Sequence, residues 1–311
     1  MPKVRKQDII QKGPLTKLAF FPSPLPTTPQ IMESMLYLDG SELSSYFKGR
    51  FEALYASCEE LRPLMDVVAL AGLGQHSAKN KYPGKNKKFK IICLPDSATL
   101  DGITQHTGWN TEAHGIYPAN KNSVFIWNPE KNKSAEHMSE MFGSTMHELA
   151  HFVMQEIFNN SCRPFKQDDE PARRKMDLAI QRARDGIPNM RSYATFFEEG
   201  GELYKQFFHA YESIASIFNS GSVYEKNALF PEELIAKIPE IIGTIGTMGR
   251  RWFRTSEGPR ELYEFFLHYF NPHIIAYLKD HHAERYLAAD PSSYDAFLAS
   301  LPSLPNHLAQ F

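Results

Sequence analysis

Apolar residues return at helical intervals along one long stretch in the middle of the chain. From Ser134 to Phe158, the positions Met138, Met141, Phe142, Met146, Leu149, Phe152, Val153 and Ile157 keep a period of three or four. They cover most of the circumference, as expected of a central, buried helix. Ser134 is placed to cap it, Glu136 suits its first turn, and Asn159 and Asn160 end it. At 1.5 Å per residue such a helix is about 37 Å long.

Upstream the pattern is more broken. Pro22, Pro24, Pro26 and Pro29 favour extended backbone and exclude regular helix, so residues 1–30 read as a tail and connector. From Ser41 to Leu73 the helical period returns with Phe47, Phe51, Leu54 and Tyr55. Ser41 to Ser44 offers a partial capping box, Pro63 divides the segment, and Gly72 and Gly74 stop it. A Pro-Gly turn follows, carrying Lys79, Lys81, Lys85, Lys87, Lys88 and Lys90, and reads as a solvated hairpin tip. Phe89 to Leu94 (FKIICL) has the composition of a short buried strand. Between His114 and Asn128 two β-prone runs, GIY and SVFIW, flank the turn PANKN, which predicts a hairpin leading into the central helix.

Downstream, PARRKMDLAIQRARDG reads as a charged helix stopped at Gly186, and the stretch from Gly201 to Asn219 as an amphipathic one. PEELIAKIPEIIGTIGTMG, GPRELYEFFLHYF and PHIIAYLKDHHAERYL are further helices, each with proline at or near its first turn. The expected fold is therefore α+β and predominantly helical, with a small antiparallel sheet or hairpin beside the central helix. The order along the chain is an extended tail (1–30), a helical region with a basic hairpin (31–100), a core (101–220) and a helical region packing on it (221–311).

Composition narrows the function classes. The 311 residues are 42% hydrophobic and 13% aromatic, enough for a sizeable core, and the net charge of −2 gives no global reason to expect a nucleic-acid partner. Cys58, Cys93 and Cys162 are too few and scattered for a disulfide framework and contain no CxxC pair. The basic N-terminus lacks the apolar core of a signal peptide, and no apolar run is long enough to span a membrane. The expectation is a soluble protein, cytoplasmic or delivered to a host cytosol without a cleaved signal.

Chemistry enters at the central helix, where His147, Glu148 and His151 spell H-E-x-x-H. Four residues apart, the two imidazoles lie roughly 40° around the helix and about 6 Å along it, so both can reach one metal ion. The motif is associated with Zn2+ and with a glutamate that serves as general base. A catalytic zinc site needs a third protein ligand. The extension HExxHxxGxxH is absent, because FVMQEIFNNS follows His151, so a glutamate is favoured. The candidates are Glu198, Glu199, Glu202, Glu212, Glu257, Glu261 and Glu264. Glu202 stands first because it opens an amphipathic helix, whose N-terminus can present a carboxylate to the metal helix. Of His268, His273, His281 and His282, the adjacent pair His281–His282 diverges by about 100° on a helix and reads as exposed.

These features resemble a gluzincin-type zinc metallopeptidase, and within that class the group of the anthrax lethal factor catalytic domain and the Pro-Pro endopeptidases. The likeness rests on HGIYPANKNSVFIW, MHELAH, the Ser192–Tyr193 pair and ELYKQFF from Glu202, with Gln206 where the family carries a second glutamate. It implies a zincin-like core and zinc held by His147, His151 and Glu202. It further implies Glu148 as general base, Tyr193 as a donor to the oxyanion, and a protein or peptide substrate lying extended along the SVFIW strand. A secreted toxin or effector protease is the corresponding biology. A non-peptidase zinc hydrolase of amidase type, or a helical interaction protein with a non-catalytic metal site, are the competing readings.

Overall fold

The computed structural model describes residues 24–38, 40–75, 88–94, 115–118, 122–127, 134–158, 177–178, 180–181, 230–255 and 259–303. Mostly helical, these residues also form one small mixed sheet of four strands. Helix α1 (Thr28–Ser34) leads into strand β1 (Leu36–Tyr37), α2 (Ser41–Ser57), a short 3-10 turn and α3 (Arg62–Gly72). Strands β2 (Lys90–Leu94), β3 (Gly115–Ile116) and β4 (Ser123–Trp127) precede the long α4 (Ala135–Phe158). The C-terminal part holds α5 (Phe230–Ile245), α6 (Thr247–Thr255) and α7 (Pro259–Phe265). A single π turn then joins α7 to α8 (Asn271–Asp280), and α9 (Pro291–Ser300) follows.

Most expected elements are found where the pattern placed them. Pro63 falls in the first turn of α3, separating it from α2, and Gly74, with φ of 74°, follows its end. The hydroxyl of Ser134 accepts the His137 N–H at 3.2 Å, as an N-cap should. Three expectations need correction. Residues 28–30 are helical, because Pro29 sits in the first turn of α1, where its missing N–H is not needed. The N-cap of α2 is Gly40, at φ 96°, a residue with no side chain to cap with, in place of the capping box expected at Ser41–Ser44. The sheet is mixed: β1, β2 and β4 run parallel, and only β3 is antiparallel, paired with β4 through Gly115–Ile126 and Ile116–Phe125.

The strand order β1-β2-β4-β3 also changes which strand is exposed to pairing. β4, the SVFIW strand, has β2 on one side and β3 on the other, so it cannot offer the free edge expected of it. Among the described residues the edge position on that side belongs to β3, whose two residues are buried. The basic turn at 76–87, the helices expected over 201–219 and around Gly186 except for a few residues, and Cys162 lie outside the described residues.

One hydrophobic cluster runs from Ile31 to Phe297 and includes α4 from Met141 to Met154. Phe47 and Phe51 of α2 meet Phe142 of α4 edge-on or tilted at 5.1 and 4.9 Å between ring centroids. Phe89 before β2 packs on Phe152 at 4.2 Å, and Tyr117 after β3 meets the same ring at 5.6 Å. These contacts clamp α4 between α2 and the sheet, which fixes the rotation of its histidines. No described helix is long and apolar enough to cross a membrane.

Candidate metal centre

α4 and α5 cross at glycine. A Cβ on Gly243 would stand 3.4 Å from the Cα of Gly143, and one on Gly143 would run into the Thr244 hydroxyl and come within 3.0 Å of the Glu240 carbonyl. Only hydrogen side chains allow that approach. Ser139 of α4 donates to the Thr244 carbonyl at 2.6 Å, and Arg50 of α2 donates to the Gly243 and Thr244 carbonyls. The end of α5 is thereby satisfied and held against α4.

The crossing brings one face of α5 over the histidines. His147, His151 and Glu233 are 8%, 9% and 7% exposed, and they offer ligand atoms within 4.8 Å of one another. Nε2 of His151 lies 3.0 Å from Nε2 of His147; Glu233 turns Oε2 to His147 at 3.2 Å and Oε1 to His151 at 3.5 Å. Two nitrogens bound to a tetrahedral ion at 2.0–2.1 Å would be about 3.3 Å apart. The spacing and the His–His–carboxylate donor set therefore suit a zinc-sized ion.

Two carboxylates flank this triangle. Oε2 of Glu240, two turns beyond Glu233 on α5, is 2.7 Å from Nδ1 of His147. It lies off the N–H direction, so Nδ1 is a buried nitrogen with a charge contact and no well-aligned acceptor. Glu148 points to the sheet side, where it accepts the backbone N–H of Tyr117 just past the β3 edge. Gly115 of β3 makes room for it, since a Cβ there would be 3.1 Å from Glu148 Cγ.

The electrostatics follow from burial among opposite charges. For His147, burial acts to lower the pKa but is outweighed by the carboxylates of Glu240 and Glu233, which hold it up at about 10 without metal. Burial acts to raise Glu233, yet His151 and His147 keep it well below the usual carboxylate range. Glu240 is likewise held down at about 2, against its burial, by Lys237 and His147. Glu148 moves the other way. Its burial dominates and raises it, despite the two imidazoles and the Tyr117 N–H.

Of the residues singled out from sequence, His147, Glu148 and His151 come together. Glu202, Tyr193, Glu198, Glu199, Glu212 and Glu257 lie outside the described residues. Glu261 is buried beside Arg260, and Glu264 faces His268 at 3.2 Å; neither belongs to the cluster with His147 and His151. His281 stacks on Tyr277, and His282, exposed with φ of 51°, ends the helix there.

Glu233 and Glu240 were not among the candidates. A signal was present: Glu233, Lys237 and Glu240 recur at i, i+4 and i+7 among the apolar Leu234, Ile235, Ala236, Ile238, Ile241 and Ile242. Charges threaded through so apolar a helix need buried partners. Comparison with protein-family models, with curated proteins and with solved structures finds no match.

Proposed function

We propose that the chain is a zinc-dependent endopeptidase of gluzincin type, with His147, His151 and Glu233 as the metal ligands and Glu148 as the general base. The observation that carries this reading is the arrival of the Glu233 carboxylate, from a separate helix, at the two imidazole Nε2 atoms. A structural zinc site would not need the adjacent Glu148. A zinc ion in this place supplies Lewis acidity, polarising a carbonyl and bringing the pKa of a water toward neutrality.

The residues supply the rest. Glu148, raised by burial and anchored by the Tyr117 N–H, takes the proton of the attacking water and hands it to the departing amine. β3, the edge strand beside β4 among the described residues, lies next to Glu148, and we place an extended peptide alongside it by strand addition. A substrate so aligned would have its backbone beside the base and the metal ligands, which favours a peptide over a small amide. Tyr193 is retained as the oxyanion donor that the family resemblance suggests. Action in a host cytosol as an effector or toxin belongs to the same resemblance.

Zinc content and cleavage of a peptide library test the proposal in wild type and Glu148→Gln. Wild type should hold one zinc and cleave. Glu148→Gln should hold zinc with cleavage lowered by about 10²–10⁴. A wild type that binds zinc and cleaves no peptide points away from an endopeptidase, and one that binds no zinc removes the enzyme reading.

A further inference from the structure

The contacts that begin at His147 do not stop at Glu240. Nζ of Lys237 lies 2.9 Å from Oε1 and 2.7 Å from Oε2 of Glu240, so one ammonium spans both carboxylate oxygens. Both side chains are largely covered, at 17% and 18% exposure, unlike an ordinary solvent-facing helix pair. Glu233, Lys237 and Glu240 thus form one face of α5, and that face meets α4 only because Gly143 and Gly243 let the helices approach.

We infer that Lys237 and Glu240 are a positioning pair for the metal ligand His147. Glu240 holds the imidazole with Nδ1 as the proton-bearing nitrogen, which leaves the Nε2 lone pair directed at the metal position. Lys237 fixes the Glu240 rotamer by occupying both of its oxygens. A small turn of the ring aligns Nδ1–H with Oε2, already 2.7 Å away. Outer-shell carboxylates of this kind are generally worth about 10- to 100-fold in metal affinity. The ammonium has a second consequence. Glu233 and Glu240 together would cancel the charge of a divalent ion, and Lys237 restores one positive charge beside it.

Among the described residues Lys237 pairs with Glu240 and with none of the three metal ligands, so its effect should be graded and rescuable. The inference rests on the zinc reading of the site. Its test is zinc affinity, by competition with a chromophoric chelator, for wild type, Glu240→Gln, Lys237→Met and Lys237→Arg. Proton–nitrogen spectra of histidine-labelled, zinc-loaded protein report the tautomer of His147 in parallel.

Glu240→Gln should weaken zinc by about 10- to 100-fold and broaden or shift the Nδ1–H signal. Lys237→Met should weaken it several-fold, and Lys237→Arg should recover most of the loss. Melting of the metal-free variants separates folding defects from metal affinity. Lys237→Met and Glu240→Gln chains that melt lower yet bind zinc as tightly as wild type, with the Nδ1–H signal unchanged, overturn the inference alone. A wild type without zinc affinity overturns the metal reading and the inference together.

Discussion

Gly143 and Gly243 face each other where α4 and α5 cross, with a Cβ on the second falling 3.4 Å from the Cα of the first. Through this contact a helix from the C-terminal part of the chain reaches the histidines. Helix propensity favours Gly143→Ala by about 1 kcal/mol. The new methyl group, however, collides with the Thr244 hydroxyl and crowds the Glu240 carbonyl, and overpacking costs roughly 1–3 kcal/mol. The second effect should win. Thermal denaturation should show Gly143→Ala less stable than wild type and Gly143→Ala/Thr244→Ala partly restored. A stabilised single variant would mean that the helices do not approach this closely.

Glu60 is a second buried charge, far along the sequence from its partners. Its Oε1 accepts the Tyr263 hydroxyl at 2.6 Å and lies 2.8 Å from Nε of Arg250, while its carbonyl accepts from Asn271 at 3.0 Å. Tyr263→Phe should cost about 1–3 kcal/mol by leaving the carboxylate short of a donor. Glu60→Ala should cost about 3–5 kcal/mol, because it takes the buried acceptor from both the Tyr263 hydroxyl and Nε of Arg250, which keeps its contacts to Ser57 and Glu59. Urea unfolding of the two variants checks the order; equal losses would contradict it.

Asp66 contributes a pH dependence to the fold in the acidic range. Burial raises its pKa to about 6, against hydrogen bonds from Thr28, Tyr294 and Tyr55 and the charge of Arg62. A carboxyl group whose folded pKa exceeds its unfolded one contributes stability that is fully present below the unfolded value. That contribution is lost as pH rises through the folded value, here about 6. Asp66→Asn removes the titration. The stability difference between the two proteins should therefore move in favour of the variant between pH 4 and pH 7, and a constant difference would show that Asp66 does not titrate there.

Zinc uptake should release protons. With His147 held at a pKa of about 10 by Glu240 and Glu233, the metal-free imidazole is protonated at neutral pH and must lose that proton to become a ligand. Affinity should rise from pH 6 to pH 9, with proton release visible calorimetrically in buffers of different ionisation enthalpy. Affinity independent of pH would contradict a protonated His147.

At β3, Gly115 leaves the space into which Glu148 extends. Gly115→Val should push the carboxyl group off the Tyr117 N–H and lower cleavage at least tenfold while zinc content stays near wild type. Zinc lost together with activity would place the damage in the fold.

The central helix, the GIY–SVFIW hairpin and the FKIICL strand were all legible, because each carries its own period and punctuation. Local signals also located His147, Glu148 and His151. Glu233 was not found, since nothing near it spells a motif. Its meaning depends on a crossing made by two glycines a hundred residues apart in the chain, whereas the sequence pattern pointed to Glu202 in ELYKQFF, which lies outside the described residues. The parallel pairing of β1 and β2 was hidden for a similar reason: two residues, Leu36 and Tyr37, make the strand, and only β2 defines it. Among the described residues the edge position passed from β4 to β3 because strand order is a tertiary property.

The most direct measurement of the metal centre is zinc affinity in Glu233→Ala beside Glu202→Ala, each folded as judged by its melting in the metal-free state. Glu233→Ala should lose affinity by more than the roughly 10- to 100-fold that an outer-shell partner is worth, and Glu202→Ala should stay close to wild type. Unchanged affinity in Glu233→Ala, with the loss appearing in Glu202→Ala, would contradict the assignment of Glu233 as the third ligand.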